Sequence, residues 1–115
     1  MKRFLCTSNK YVDIVADHAL LYNKFSSERR EVEVLGFDPP SVEYPDNYKV
    51  VSMGKQEDFP NKDWSTPILP FIDAIEGRCF EFWWDDMFPI RPFREDLYEE
   101  GSRLIEDGKV QKVHF

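Results

Sequence analysis

Apolar positions along this chain change their period several times, and each change marks an element. Lys2 to Thr7 reads as a first strand. Beyond it, Tyr11, Ile14, Val15, His18, Leu21, Tyr22 and Phe25 recur at steps of three and four, the stripe of a helix that Ser8 or Asn9 can cap and that lies on a sheet. The charged cluster Glu28-Arg29-Arg30 turns the chain into a second strand, Glu31 to Phe37, which Asp38-Pro39-Pro40 ends. A loop through Tyr44 to Asn47 leads to a third strand, Tyr48 to Met53, and a polar loop then runs from Gly54 to Trp64.

The second half repeats the scheme. Ser65 or Thr66 caps a helix that starts with Pro67, carries Ile68, Leu69, Ile72 and Ile75, and stops at Gly77. A fourth strand is expected over Arg78 to Trp84, a helix over Arg94 to Glu106, and a last strand over Val110 to Phe115. The order β-α-β-β-α-β-α-β predicts an α/β fold of three layers, a mainly parallel sheet with helices on both faces and the first strand near its centre. Alternation in the fourth strand puts Phe80, Phe82 and Trp84 on one face and Cys79, Glu81 and Trp83 on the other. A buried, unpaired Glu81 is costly, so either it pairs with an arginine such as Arg78 or Arg91, the reading preferred here, or its face opens onto a cleft.

Composition narrows the functional classes. At 115 residues the chain is a single domain able to bury about two-thirds of its unfolded surface, so folding requires no disulfide or metal. Aromatic residues make up 16%, which argues for a packed core and against disorder. The net charge of -7 repels phosphate backbones and argues against a nucleic-acid partner. No apolar run reaches the roughly 20 residues of a membrane helix, and the start is too short for a signal peptide, so a soluble, cytoplasmic protein with no membrane insertion is expected. Cys6 and Cys79 form no CxxC pair and read as free thiols buried in strands.

Several chemistries are excluded by inspection. The chain has no GxxxxGK[ST] loop, no GxGxxG after its first strand and no HExxH. His18 falls in the apolar stripe of the first helix and reads as a hydrogen-bonded core residue, and His114 lies beside the terminus. What remains is a set of loops at the carboxyl ends of strands: Thr7-Ser8-Asn9, Asp38, Gly54-Lys55-Gln56, Trp64-Ser65 and Asp85-Asp86. In a parallel sheet these loops share one edge, where open α/β sheets bind ligands. Taken singly, Ser8 and Ser65 read as helix caps, Asp38 as a turn residue, Trp64 as a hydrophobic lid and the two acids as solvated charges.

Taken together, Thr7 to Tyr11, Val34 to Pro40, Val51 to Gln56, Asp63-Trp64-Ser65 and Phe82 to Pro92 resemble the nucleotide-binding half of a GT-A type glycosyltransferase, in particular small phage-like or environmental members. The resemblance implies a Rossmann-like domain that binds a nucleoside-diphosphate sugar, with Thr7, Ser8, Asn9, Asp38, Lys55, Trp64 and Ser65 on the nucleotide side. It implies that Asp85 and Asp86 hold Mn²⁺ or Mg²⁺ in place of the family's Asp-x-Asp, whose spacing they do not keep. It assigns no catalytic base, because such enzymes continue into an acceptor-binding region, so this chain is expected to be either a minimal enzyme or the amino-terminal part of a longer one. The alternative is a non-catalytic α/β interaction module using its acidic, aromatic surface. A last strand with Val113 and Phe115 on one face adds the expectation of self-association, a homo-oligomer, or a larger natural chain.

Overall fold

The computed structural model describes residues 1–77 and 79–113. Four strands, β1 (Lys2–Cys6), β2 (Val32–Gly36), β3 (Tyr48–Ser52) and β4 (Phe80–Trp84), pair in the order β3-β2-β1-β4, and every pairing is parallel. Helix α1 (Val15–Phe25) joins β1 to β2, α2 (Leu69–Asp73) precedes β4, and α3 (Glu95–Glu106) follows it.

Both faces of the sheet are covered. Leu5, Val32 and Val34 pack with Val15, Ala19 and Tyr22 of α1, whereas Phe4, Cys6 and Leu35 pack with Ile68 and the partly buried Phe71 and Ile72 on the other side. Helix α3 sits on the α1 side, where Tyr98 meets Phe93 and Phe93 in turn packs on Tyr22 and Trp83. The expected three-layer architecture and central β1 are therefore present. Because parallel strands need a crossover, and crossovers are right-handed, the chain runs outward over α1 to β2 and β3 and returns across the opposite face to β4. The connection from β2 to β3 contains no helix. It is instead fastened to the start of α1, where the Ser41 N–H donates to Asp13 Oδ1 at 2.7 Å and the Tyr44 hydroxyl donates to the Val12 carbonyl.

Several boundaries differ from the sequence pattern, for local reasons. Helix α1 is preceded by a 3-10 turn at Val12–Ile14, and neither has a side-chain cap, because Ser8 and Asn9 lie in a separate turn before it. Helix α2 is shorter than Pro67 to Ile75 and is also uncapped by a side chain, since it is Ser65's carbonyl that receives the Ile68 and Leu69 N–H groups. The stretch Val110 to Val113 is not a strand; the rest of that expected element, His114 and Phe115, lies outside the described residues, as does Arg78 at the expected start of β4. Cys6 is buried in β1, but Cys79 is only partly buried and stands just before β4.

Glu81 has a partner that local pattern does not suggest. The parallel register sets Arg3 opposite Glu81, and the two side chains, 7% and 10% exposed, form an ion pair beneath Tyr22 and Tyr98 in place of a pairing with Arg91. Burial pushes the Glu81 carboxyl upward, and the Arg3 guanidinium opposes that shift. Removing one member of such a pair strands a buried charge. Arg3→Met should therefore lower stability in urea unfolding by about 3–5 kcal/mol, while Arg3→Met combined with Glu81→Leu should recover most of the loss. A single substitution no worse than the double would contradict this account.

His18 is a core residue, as its place in the apolar stripe predicts. It is 1% exposed, its Nδ1 lies 3.1 Å from the Tyr48 hydroxyl, and its ring also hydrogen-bonds the Met87 backbone. Burial pushes the imidazole down to about 4. A folded value below the unfolded 6.5 means that the unfolded chain binds the extra proton first, so this contribution is complete above pH 6.5 and is lost as pH falls toward 4. Wild-type protein should lose roughly 3 kcal/mol more than His18→Gln over that interval. Parallel urea-midpoint curves for the two proteins would contradict the assignment.

Candidate functional site

Strand order reverses between β1 and β4: the chain leaves β1 toward β2 on one side and comes back to β4 on the other. Outside the carboxyl ends of the strands at such a reversal is where open α/β sheets bind ligands. The residues at that edge are Thr7 and Ser8 after β1 and Asp85 and Asp86 after β4.

The ladder continues one step past the strand ends and fixes these residues. The Thr7 N–H donates to the Leu35 carbonyl at 3.0 Å and the Asp85 N–H to the Cys6 carbonyl at 3.2 Å. Thr7 is buried, and its hydroxyl donates to Asp85 Oδ2 at 2.7 Å, joining the two loops by a charge-assisted bond between residues 78 apart in sequence. Gly36 makes room for this geometry, because a Cβ there would lie 3.3 Å from Thr7 Cγ2. Asp86 is exposed beside Asp85, and among the described residues no hydrogen bond or ion pair engages it. Below the acids, burial and then the Asp85 charge push the Cys6 thiol up to about 11, so Cys6 stays protonated and is no nucleophile.

A second group of contacts knits the loops after β1, β2 and β3. Asn9 Nδ2 donates to Asp38 Oδ2 at 2.8 Å, the Asp38 N–H donates to Asn9 Oδ1 at 2.9 Å, and the Asn9 N–H donates to Gln56 Oε1 at 2.7 Å. Asn9, read as a helix cap or nucleoside contact, thus orients Asp38 and leaves one carboxylate oxygen of Asp38 open. Lys55 is exposed, and it is its neighbour Gln56 that reaches Asn9.

Trp64 and Ser65 fall elsewhere. Trp64, 52% exposed, meets Trp84 edge-on with ring centroids 4.9 Å apart, on the α2 side of β4, and does not join the Asn9-Asp38 group. Ser65 lies with it along the α2 wall of a groove. His18, outside the set of expected site residues, supports the site from below: its bond to the Met87 backbone holds the segment just after Asp86 onto α1. The sequence signal for this was the histidine in an apolar stripe, but what it would hold depends on tertiary placement.

The donor set can be weighed against a cation. Two adjacent carboxylates offer hard oxygen atoms, the ligands Mg²⁺ and Mn²⁺ prefer, yet among the described residues no three His, Cys, Asp or Glu side chains converge on one point. Such a pair suits a cation that takes most of its shell from phosphate and water, and does not suit a closed protein cage. Among the described residues no helix is long and apolar enough to cross a membrane. No family model, curated protein or solved structure matches the chain.

Proposed function

We propose that the carboxyl edge of the sheet between β1 and β4 binds a nucleoside-diphosphate sugar through a divalent cation, and that the domain is the donor-binding part of a glycosyltransferase. The observation that carries this reading is the Thr7-Asp85 bond at the strand-order reversal, with Asp86 exposed beside it. Mn²⁺ or Mg²⁺ would be held by Asp85 and Asp86 and would supply Lewis-acid stabilisation of the diphosphate leaving group.

The chain's own residues have separable tasks. Thr7 occupies one oxygen of Asp85 and so aims the other. Asn9 holds Asp38 in place, leaving an oxygen to accept a hydrogen bond from a base or ribose. The second reading, a non-catalytic interaction module, is favoured by a different feature, the apolar groove along β4.

Calorimetry separates the two. Mn²⁺ alone should bind weakly, and markedly more tightly with a nucleoside diphosphate present, since the cation completes its shell from phosphate oxygens. Asp86→Asn should weaken the combined binding tenfold or more. Thr7→Val should weaken it less and should cost about 1–3 kcal/mol of stability, because Asp85 loses a charge-assisted bond. Equal heats for wild type and Asp86→Asn would remove these acids from the site.

A further inference from the structure

The groove along β4 has a volume of about 690 Å³, within the size range of small-molecule sites. Every residue from Cys79 to Trp84 takes part in its lining, so it follows the strand for roughly 17 Å at about 3.3 Å per residue. Met1, Trp64, Leu69, Phe80, Trp84 and Met87, large apolar residues that the fold leaves exposed, all gather around it. Such a concentration of exposed apolar surface on a small domain marks a binding site. Of the charged residues in the lining, Glu81 is spent on Arg3 and Lys112 is exposed. A charged group set among Leu69, Ile72 and Phe82 would find no partner there, so the occupant has an uncharged body.

The two ends of the groove differ. At the amino end of the strand, space is taken by this chain's own Met1, whose Sδ lies 3.4 Å from both Cys79 Sγ and Ser102 Oγ. At the carboxyl end, Trp84 and Met87 both line the groove, and Asp85 and Asp86 are the two residues between them. The room for a ligand therefore lies toward the acid pair.

We propose that this groove holds the acceptor of the transfer reaction and that the acceptor is a long-chain alcohol, its chain along β4 and its hydroxyl at the Trp84–Met87 end. The assignment rests on the reading of Asp85 and Asp86 as the donor site. Transfer needs an acceptor oxygen placed against the donor's anomeric carbon, and the groove reaches the acids that would hold the donor. The hydroxyl oxygen bonds to that carbon as the bond from it to the diphosphate breaks. The diphosphate keeps the electron pair, and the hydroxyl proton passes to water. A carboxylate head at this end would meet two acids of like charge. A glycan would set its many hydroxyls against Leu69, Ile72 and Phe82, which offer them no hydrogen bonds.

All three tryptophans of the chain, Trp64, Trp83 and Trp84, line the groove, so their emission reports its occupation. The probe is 1-decanol, added without metal or nucleotide, with decanoate and maltose as comparisons. Decanol should shift the emission to the blue and saturate, decanoate should bind at least tenfold more weakly, and maltose should leave the emission unchanged. Leu69→Glu, at an exposed position of the wall, should weaken decanol binding tenfold with an unchanged circular dichroism spectrum and unchanged calorimetry for Mn²⁺ with a nucleoside diphosphate. Asp86→Asn should tighten decanoate severalfold and leave decanol alone, because the hydroxyl end lies by the acids. No saturable shift up to the solubility limit of decanol, equal binding of decanol and decanoate, or a response to maltose would overturn the assignment and leave the donor reading standing. Decanol binding by a protein that takes no nucleoside diphosphate with Mn²⁺ would overturn the acceptor role together with the donor reading.

Discussion

Burial of β1 on both faces is the constraint from which the rest of the architecture follows. Phe4 and Cys6 point to one side and Leu5 to the other, and all three are shut off from water. A strand in that position requires an apolar layer above and below, and in a parallel sheet only crossovers can supply them. Helix α1 covers one side on the way out and α2 covers the other on the way back, and that change of face is what makes the strand order reverse beside β1. The meeting of Thr7 with Asp85 at that reversal is thus a by-product of covering the central strand. The same return path leaves β4 outermost among the described strands, with α2 on one face of the sheet and α3 on the other.

Polar groups inside this frame are few, and each spans elements. Arg3 and Glu81 join β1 to β4, and His18 joins α1 to β3 and to the loop after the acids. Thr7 and Asp85 join the two loops at the reversal, and Asn9 joins the loops after β1, β2 and β3. An apolar core of this size sets which faces meet. Bonds of this kind add direction, so a misplaced strand would leave several buried polar atoms without partners.

Strands were the most legible part of the sequence. The four strands present lie within two residues of the runs that predict them, because a short apolar segment between glycine, proline and charged breakers has few other solutions, whereas the fifth expected strand is absent over Val110 to Val113. Helix starts were less legible. Ser8, Asn9 and Ser65 have cap chemistry, but Asn9 spends its side chain on Asp38, and Ser65 acts through its carbonyl. That Glu81 needed an arginine could be read from alternation. That it would be Arg3 could not, because the choice rests on the register between strands about eighty residues apart. The same holds for Thr7 with Asp85. Each residue was visible as a loop group at the carboxyl edge, while their bond depends on which strands become neighbours. Lys55 and Gln56 show the limit at the scale of one residue, since loop geometry alone decided which of them reached Asn9.

The helix-free connection from β2 to β3 and the remote pairing of β1 with β4 bear on how the domain assembles in time. Strands β1, β2 and β3 are consecutive, joined by the α1 crossover and one loop, so that this part of the sheet can form before β4 is made. Strand β4 must wait for a closure spanning nearly the whole domain, an entropic cost met only when Phe80–Trp84 reaches the exposed side of β1. Asp85 and Asp86 are carried by that last strand. On a ribosome the acid pair would be assembled only after most of the chain has emerged, and until then β1 would present an open apolar edge to its surroundings.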